Sequence, residues 1–230
     1  MIRKSLRAKA FLALVLLVPA PSLGVLFGMF LFPDTILGKS LFLFTKMWLV
    51  ALPVIWLRFI DKSKLSALPV KNVGVGMGIF SGTMILLIIF GGFFIAGDSL
   101  IDKDFFVAKL ASVGLTNPGV YFGAMMYWIL VNSVLEEYVW RWFCFEKCAM
   151  LTSKIWAVFL AAAFFTLHHV FAMLVYFSPG TTIACSLGVF IGGLIWSAMY
   201  LRYQSILPGY ISHVFADIAV FGCGALVLFG

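Results

Sequence analysis

Residues 121–135 read Tyr121-Phe-Gly-Ala-Met-Met-Tyr-Trp-Ile-Leu-Val-Asn-Ser-Val-Leu135, and Glu136-Glu137-Tyr-Val-Trp-Arg141 follows directly. The apolar run reads as membrane-embedded, so two carboxylates and a guanidinium stand at its end. An ionisable side chain in hydrocarbon costs at least ~2.5 kcal/mol, and such residues are functional candidates by default. The three histidines repeat the pattern. His168 and His169 sit in the apolar segment 158–177, and His213 sits in 206–230, four residues before Asp217. The groups able to do chemistry are gathered on three apolar segments.

The rest of the chain has the same character. Its 230 residues are 63% hydrophobic and 11% charged, whereas a soluble domain is about 25% charged. Apolar runs of about twenty residues recur along its whole length, which is the signature of membrane-crossing helices. We expect an all-α, polytopic transmembrane bundle of about seven spans, near 11–32, 41–59, 73–97, 120–136, 156–177, 181–201 and 207–228, forming one membrane domain over residues 1–230. Pro19 and Pro21 predict a kink in the first span, which reads as a retained signal-anchor.

Loop charges orient the bundle. Arg3, Lys4, Arg7, Lys9, Arg58, Lys62, Lys64, Lys71, Arg141, Lys147, Lys154 and Arg202 fall on one side. Lys39, Lys103 and Lys109 fall on the other. The positive-inside rule then puts the N-terminus in the cytoplasm, with the plasma (inner) membrane as the expected location. The net charge of +7 reflects this asymmetry and anionic lipid. No basic cluster sits on a soluble domain, so nucleic acid is not an expected partner.

Cys144, Cys148, Cys185 and Cys223 lie in or beside apolar segments and give no disulfide framework, and Cys144-x3-Cys148 reads as buried small residues rather than half a metal site. Phe105 to Leu110, in the longest outer loop, predicts a short interfacial helix. Gly74, Gly76, Gly78, Gly91, Gly92, Gly188, Gly192 and Gly193 read as helix-packing positions.

On a helix each residue turns by about 100°. Glu137 and Arg141 therefore share a face and can pair, anchoring a helix end and leaving Glu136 free to face a cavity as general base or acid. A plain salt-bridge cluster at a helix end is the competing reading. His168 and His169 also diverge by about 100°, so one of them is expected to face a site. His213 and Asp217 share a face. They could be an imidazole oriented by a carboxylate, a pair that polarises a carbonyl, or a polar pair joining two helices.

Glu136-Glu137-x3-Arg141, Phe165-x3-His169 and His213-x3-Asp217, in that order on successive membrane segments, resemble the CPBP family. These are the CAAX-protease and bacteriocin-processing (Abi) intramembrane proteases, and the resemblance covers about 120–225. It implies a peptide bond cut near the membrane by water that Glu136 and His169 activate. His213 and Asp217 would orient or stabilise the intermediate, and Glu137, Arg141 and His168 would support the site. It also implies a membrane-associated or prenylated peptide or protein substrate, with room for a membrane protein partner, while the loop charges put Glu136 at the cytoplasmic end of its span and so the active site toward the cytoplasm. Zinc held by Glu136, His169 and His213 is an alternative to water activation by the side chains alone. Phe164-x3-His168 fits the second motif too, but Val170 supplies the hydrophobic residue that usually follows the family histidine. Asp217 stands where the family more often has Asn. An ionised Asp is a poor oxyanion donor, so it would have to be protonated, orient His213 or bind a metal. Two other readings of the same residues are a non-catalytic scaffold or immunity factor on this fold, and a metal or proton transporter.

Overall fold

Helix starts are fixed by side chains that satisfy the unpaired N–H groups of the first turn. Thr35, Asp102, Asn117, Ser153 and Ser178 each accept a hydrogen bond from the N–H three residues on. Pro118, Pro179 and Pro208 occupy first-turn positions where a missing N–H costs nothing. The computed structural model describes residues 2–62 and 69–230. Met1 and residues 63–68, among them the loop cation Lys64, lie outside them.

The described residues are all-helical, with no strand. Seven helices are long and apolar enough to cross a membrane: Lys4–Leu31, Ile36–Ile60, Val75–Leu100, Pro118–Leu151, Lys154–Leu174, Pro179–Tyr203 and Leu207–Phe229. They are called the first to seventh spans below. The chain is an integral membrane protein. The first span breaks at Val18, where helix Ile2–Leu17 gives way to Pro19–Val25, as the two prolines require. A short helix, Lys103–Ser112, forms where Phe105 to Leu110 predicts one. Its Phe106 ring stacks on Phe177 at 5.5 Å.

The fourth span departs from expectation. It does not end at Glu136 but runs on to Leu151, through π-helical turns at Trp128–Asn132 and Glu137–Cys144. Arg141 and Lys147 are therefore buried helix residues, not cytoplasmic loop cations. Neutralisation inside the protein is the reason. Arg141 pairs with Glu137, and Lys147 donates to Asp61 Oδ2 at 2.6 Å. The loop asymmetry loses these two residues.

Three close packings position the site. A Cβ on Gly78 would press on the backbone of Pro208, and one on Gly82 would meet Phe215 and Ser212, so the third span lies tightly on the seventh. Gly193 brings the sixth span against Ala162 and Phe165 of the fifth. Gly76, Gly91, Gly92 and Gly188, by contrast, meet nothing within 4 Å, which removes the packing role expected of them. Cys144 and Cys148 are free and fully buried in the core, as small apolar residues would be. At one end of the bundle Arg7 Nη2 donates to Leu151 O at 2.7 Å, and Lys9 Nζ donates to Ile60 O at 3.1 Å. Leu151 and Ile60 end the fourth and second spans. Cations there meet the negative ends of two helix dipoles.

Candidate active site

Glu136 lies between the two π-helical segments of the fourth span. Such widened turns re-aim side chains and are frequent at functional sites. Its carboxylate is 13% exposed and faces two imidazoles. Oε1 is 3.7 Å from His168 Nε2, and Oε2 is 3.6 Å from His213 Nε2. Glu136 holds no ion pair with Arg141 among the described residues.

Glu137 points the other way and is fully buried. Its Oε1 lies 3.4 Å from Arg141 Nε and 3.1 Å from His213 Nδ1. A carboxylate can only accept, so Nδ1 carries the donated proton. In the neutral ring this leaves a lone pair on Nε2, the nitrogen that faces Glu136. Glu137 thus holds both a guanidinium and the His213 tautomer. The imidazole has two carboxylate neighbours beyond Asp217, which stands 3.8 Å from Nε2. The Glu137–Arg141 pair is no helix-end anchor, because the helix continues past it. The Arg141 guanidinium is held by charge and by two ring faces, Phe165 at 4.3 Å and Trp196 at 4.9 Å.

The fifth span supplies both adjacent histidines. One donor atom each from Glu136, His168 and His169 can be chosen so that all lie within 4.8 Å of one another. The expectation that only one histidine faces Glu136 is therefore corrected. Their backbone directions diverge, but the two rings converge to 4.0 Å between centroids. His169 Nδ1 donates to Phe165 O at 2.9 Å, one turn back, which leaves Nε2 with its lone pair.

Several site residues carried no sequence signal strong enough to single them out. Trp140 stacks on His168 at 5.3 Å, and Trp196 stacks on His213 at 4.1 Å. Trp196 Nε1 also donates to Ser212 Oγ at 3.0 Å, and Ser81 donates to the same oxygen at 3.1 Å. Ser133 lies one turn before Glu137 and donates to Asp217 Oδ2 at 2.6 Å. Gly209 backs onto the Glu137 carboxylate, where no Cβ would fit. Ser133 alone had a readable position, by its spacing from Glu137.

A family model described as type II CAAX prenyl endopeptidase Rce1-like matches residues 118–219. The match opens on the first turn of the fourth span and closes two residues past Asp217, so it contains all three motifs. Over this stretch the chain is similar to the Rce1-like family, in keeping with the CPBP resemblance of the motifs. No curated protein and no solved structure matches the chain.

Proposed function

We propose that the protein is a CAAX-type intramembrane endopeptidase in which Glu136 is the general base for the attacking water. One observation carries this reading. Glu136 is clear of Arg141, whose charge Glu137 meets, and opens toward the His168 and His213 imidazoles. Water held between Glu136 and the His168/His169 pair gives a proton to Glu136 as its oxygen attacks the scissile carbonyl. When both nitrogens of His213 carry protons, Nδ1–H is held by Glu137 and Nε2–H is free to donate to the oxyanion. Asp217, fixed by Ser133, borders that position. It need not donate, which removes the objection to Asp at this place in the motif. The substrate is membrane-associated, and the site faces the cytoplasm by the loop-charge argument.

Two imidazoles and a carboxylate are also a zinc donor set. Glu136, His168 and His169 would hold the ion, so His168 takes the place first given to His213. Bound zinc would supply Lewis acidity and a more acidic water.

The test is turnover of a membrane-tethered prenylated peptide by purified protein in detergent. Glu136→Gln keeps the shape and cannot take the proton, so it should lose about 10²–10⁴-fold in rate without loss of folding. Full activity of this variant would remove Glu136 as the base, and absence of turnover by the wild-type protein would leave a scaffold on the same fold. Loss of wild-type activity on chelation, restored by Zn²⁺, would assign the Glu136–His168–His169 group to a metal.

A further inference from the structure

We propose that the side-chain amide of Asn132 binds a backbone peptide unit of the substrate, about two residues from the scissile bond; this rests on the endopeptidase reading above. Asn132 is the last residue of the π-helical turn Trp128–Asn132, and the α-helical turn Ser133–Glu136 follows it. It therefore precedes Glu136 by one turn on the same side of the fourth span, about 6 Å along the helix axis. The adjacent pair shows the register. Ser133 and Glu137 are also four apart, and both turn to the seventh span, where they meet Asp217 and His213.

Asn132 is a buried polar residue of a membrane-crossing helix, 8% exposed. Other polar side chains around the site are bonded. Ser133 donates to Asp217, Thr166 donates to Ala162 O, and Ser212 accepts from Trp196. The Asn132 amide caps no helix and has no hydrogen-bond partner among the described residues. Nor is it sealed in, as the Arg141 nitrogens and His168 Nδ1 are. An unbonded amide in this setting costs free energy that leucine, of about the same size, would not. A group that both donates and accepts matches what a peptide offers at nearly every residue, its backbone N–H and C=O. The 6 Å rise corresponds to about two residues of extended chain, which sets the distance from the bond that Glu136 attacks.

The test is binding of the membrane-tethered peptide to full-length Glu136→Gln protein in detergent, with each backbone N–H of the peptide replaced in turn by an ester oxygen. One replacement should weaken binding roughly 5- to 10-fold, and where the wild type cleaves, it should lie about two residues from the cut. With Asn132→Leu added, that replacement should have no effect, while the others keep theirs. The thermal midpoint with Asn132→Leu should equal or exceed that with Asn132, because leucine leaves no polar group unpaired. No position with that effect, an effect that survives Asn132→Leu, or a lowered midpoint overturns the assignment. Turnover by protein with Glu136 intact separates the two readings. An Asn132-dependent ester effect without cleavage sinks the endopeptidase and keeps the peptide contact. Cleavage without that effect does the reverse.

Discussion

At the scale of the residue, the site is a contest among carboxylates for a few partners, and position decides each outcome. Glu137 wins Arg141 and His213 Nδ1 because both lie on its buried side. Glu136, one residue earlier, is left with ring nitrogens. Gly209 is the space that lets the Glu137 carboxylate sit there. Gly209→Ala should therefore destabilise the protein by about 1–3 kcal/mol, as overpacking does, and depress turnover through the displaced Glu137. Gly91→Ala is the control. Nothing lies within 4 Å of it, and alanine gains about 1 kcal/mol of helix propensity. Thermal midpoints in detergent that move alike for the two variants would contradict the packing described. The sequence made much of this scale legible. The i, i+4 spacing paired Glu137 with Arg141, and the three motifs named the acids and imidazoles. It did not resolve His168 from His169, because angles between backbone directions say nothing of how far two rings lean together. It also missed Trp140 and Trp196, whose role is to clamp rings contributed by other helices.

At the scale of the element, the fourth span is the part least readable from composition. Charges after Leu135 looked like a helix end, since hydropathy counts a paired charge like a solvated one. The π-helical turns carry no sequence mark of their own, yet they set which way each half of the span faces. Trp128–Asn132 separates Tyr121, whose hydroxyl donates to Phe221 O at 2.6 Å, from Glu136. Five residues of π-helix turn the chain about as far as four of α-helix, so removing one residue there should return the turn to α geometry with residues 118–127 still aimed as before. Deletion of Val131, an exposed residue, should therefore be well tolerated. Deletion of Met125, in the α-helical stretch before the turn, should rotate Tyr121 by about 100° away from Phe221 and cost about 2 kcal/mol or more. Equal unfolding midpoints for the two deletions would deny the widened turn its structural role.

At the scale of the whole molecule, the motif-bearing half does not stand apart from the spans before it. The core joins Leu14, Leu17, Leu52 and Trp56 to Trp140, Phe143 and Phe165. Asp61, just past the second span, holds Lys147 near the end of the fourth. Breaking one side of a buried pair leaves an uncompensated charge and typically costs about 3–5 kcal/mol. Asp61→Asn should approach that loss, and the exchanged pair Asp61→Lys with Lys147→Asp should recover part of it. Failure of the exchange to recover any stability would reduce the contact to a bystander. The number of spans was readable from length and hydropathy alone. Which spans touch was not, because lipid-facing and protein-facing apolar residues look the same in a sequence.

The two cations near the start of the chain have a consequence for biosynthesis. Arg7 leaves the ribosome 144 residues ahead of Leu151, the carbonyl it finally holds, and Lys9 leaves 51 residues ahead of Ile60. The first helix therefore enters the bilayer with both of its latches open. One closes when the second helix is finished, and the other waits for the fourth. The last turn of the fourth helix can thus be secured once Glu136 has been synthesised but before His168, His169 and His213 have, so the clasp on that helix is available before the site is complete.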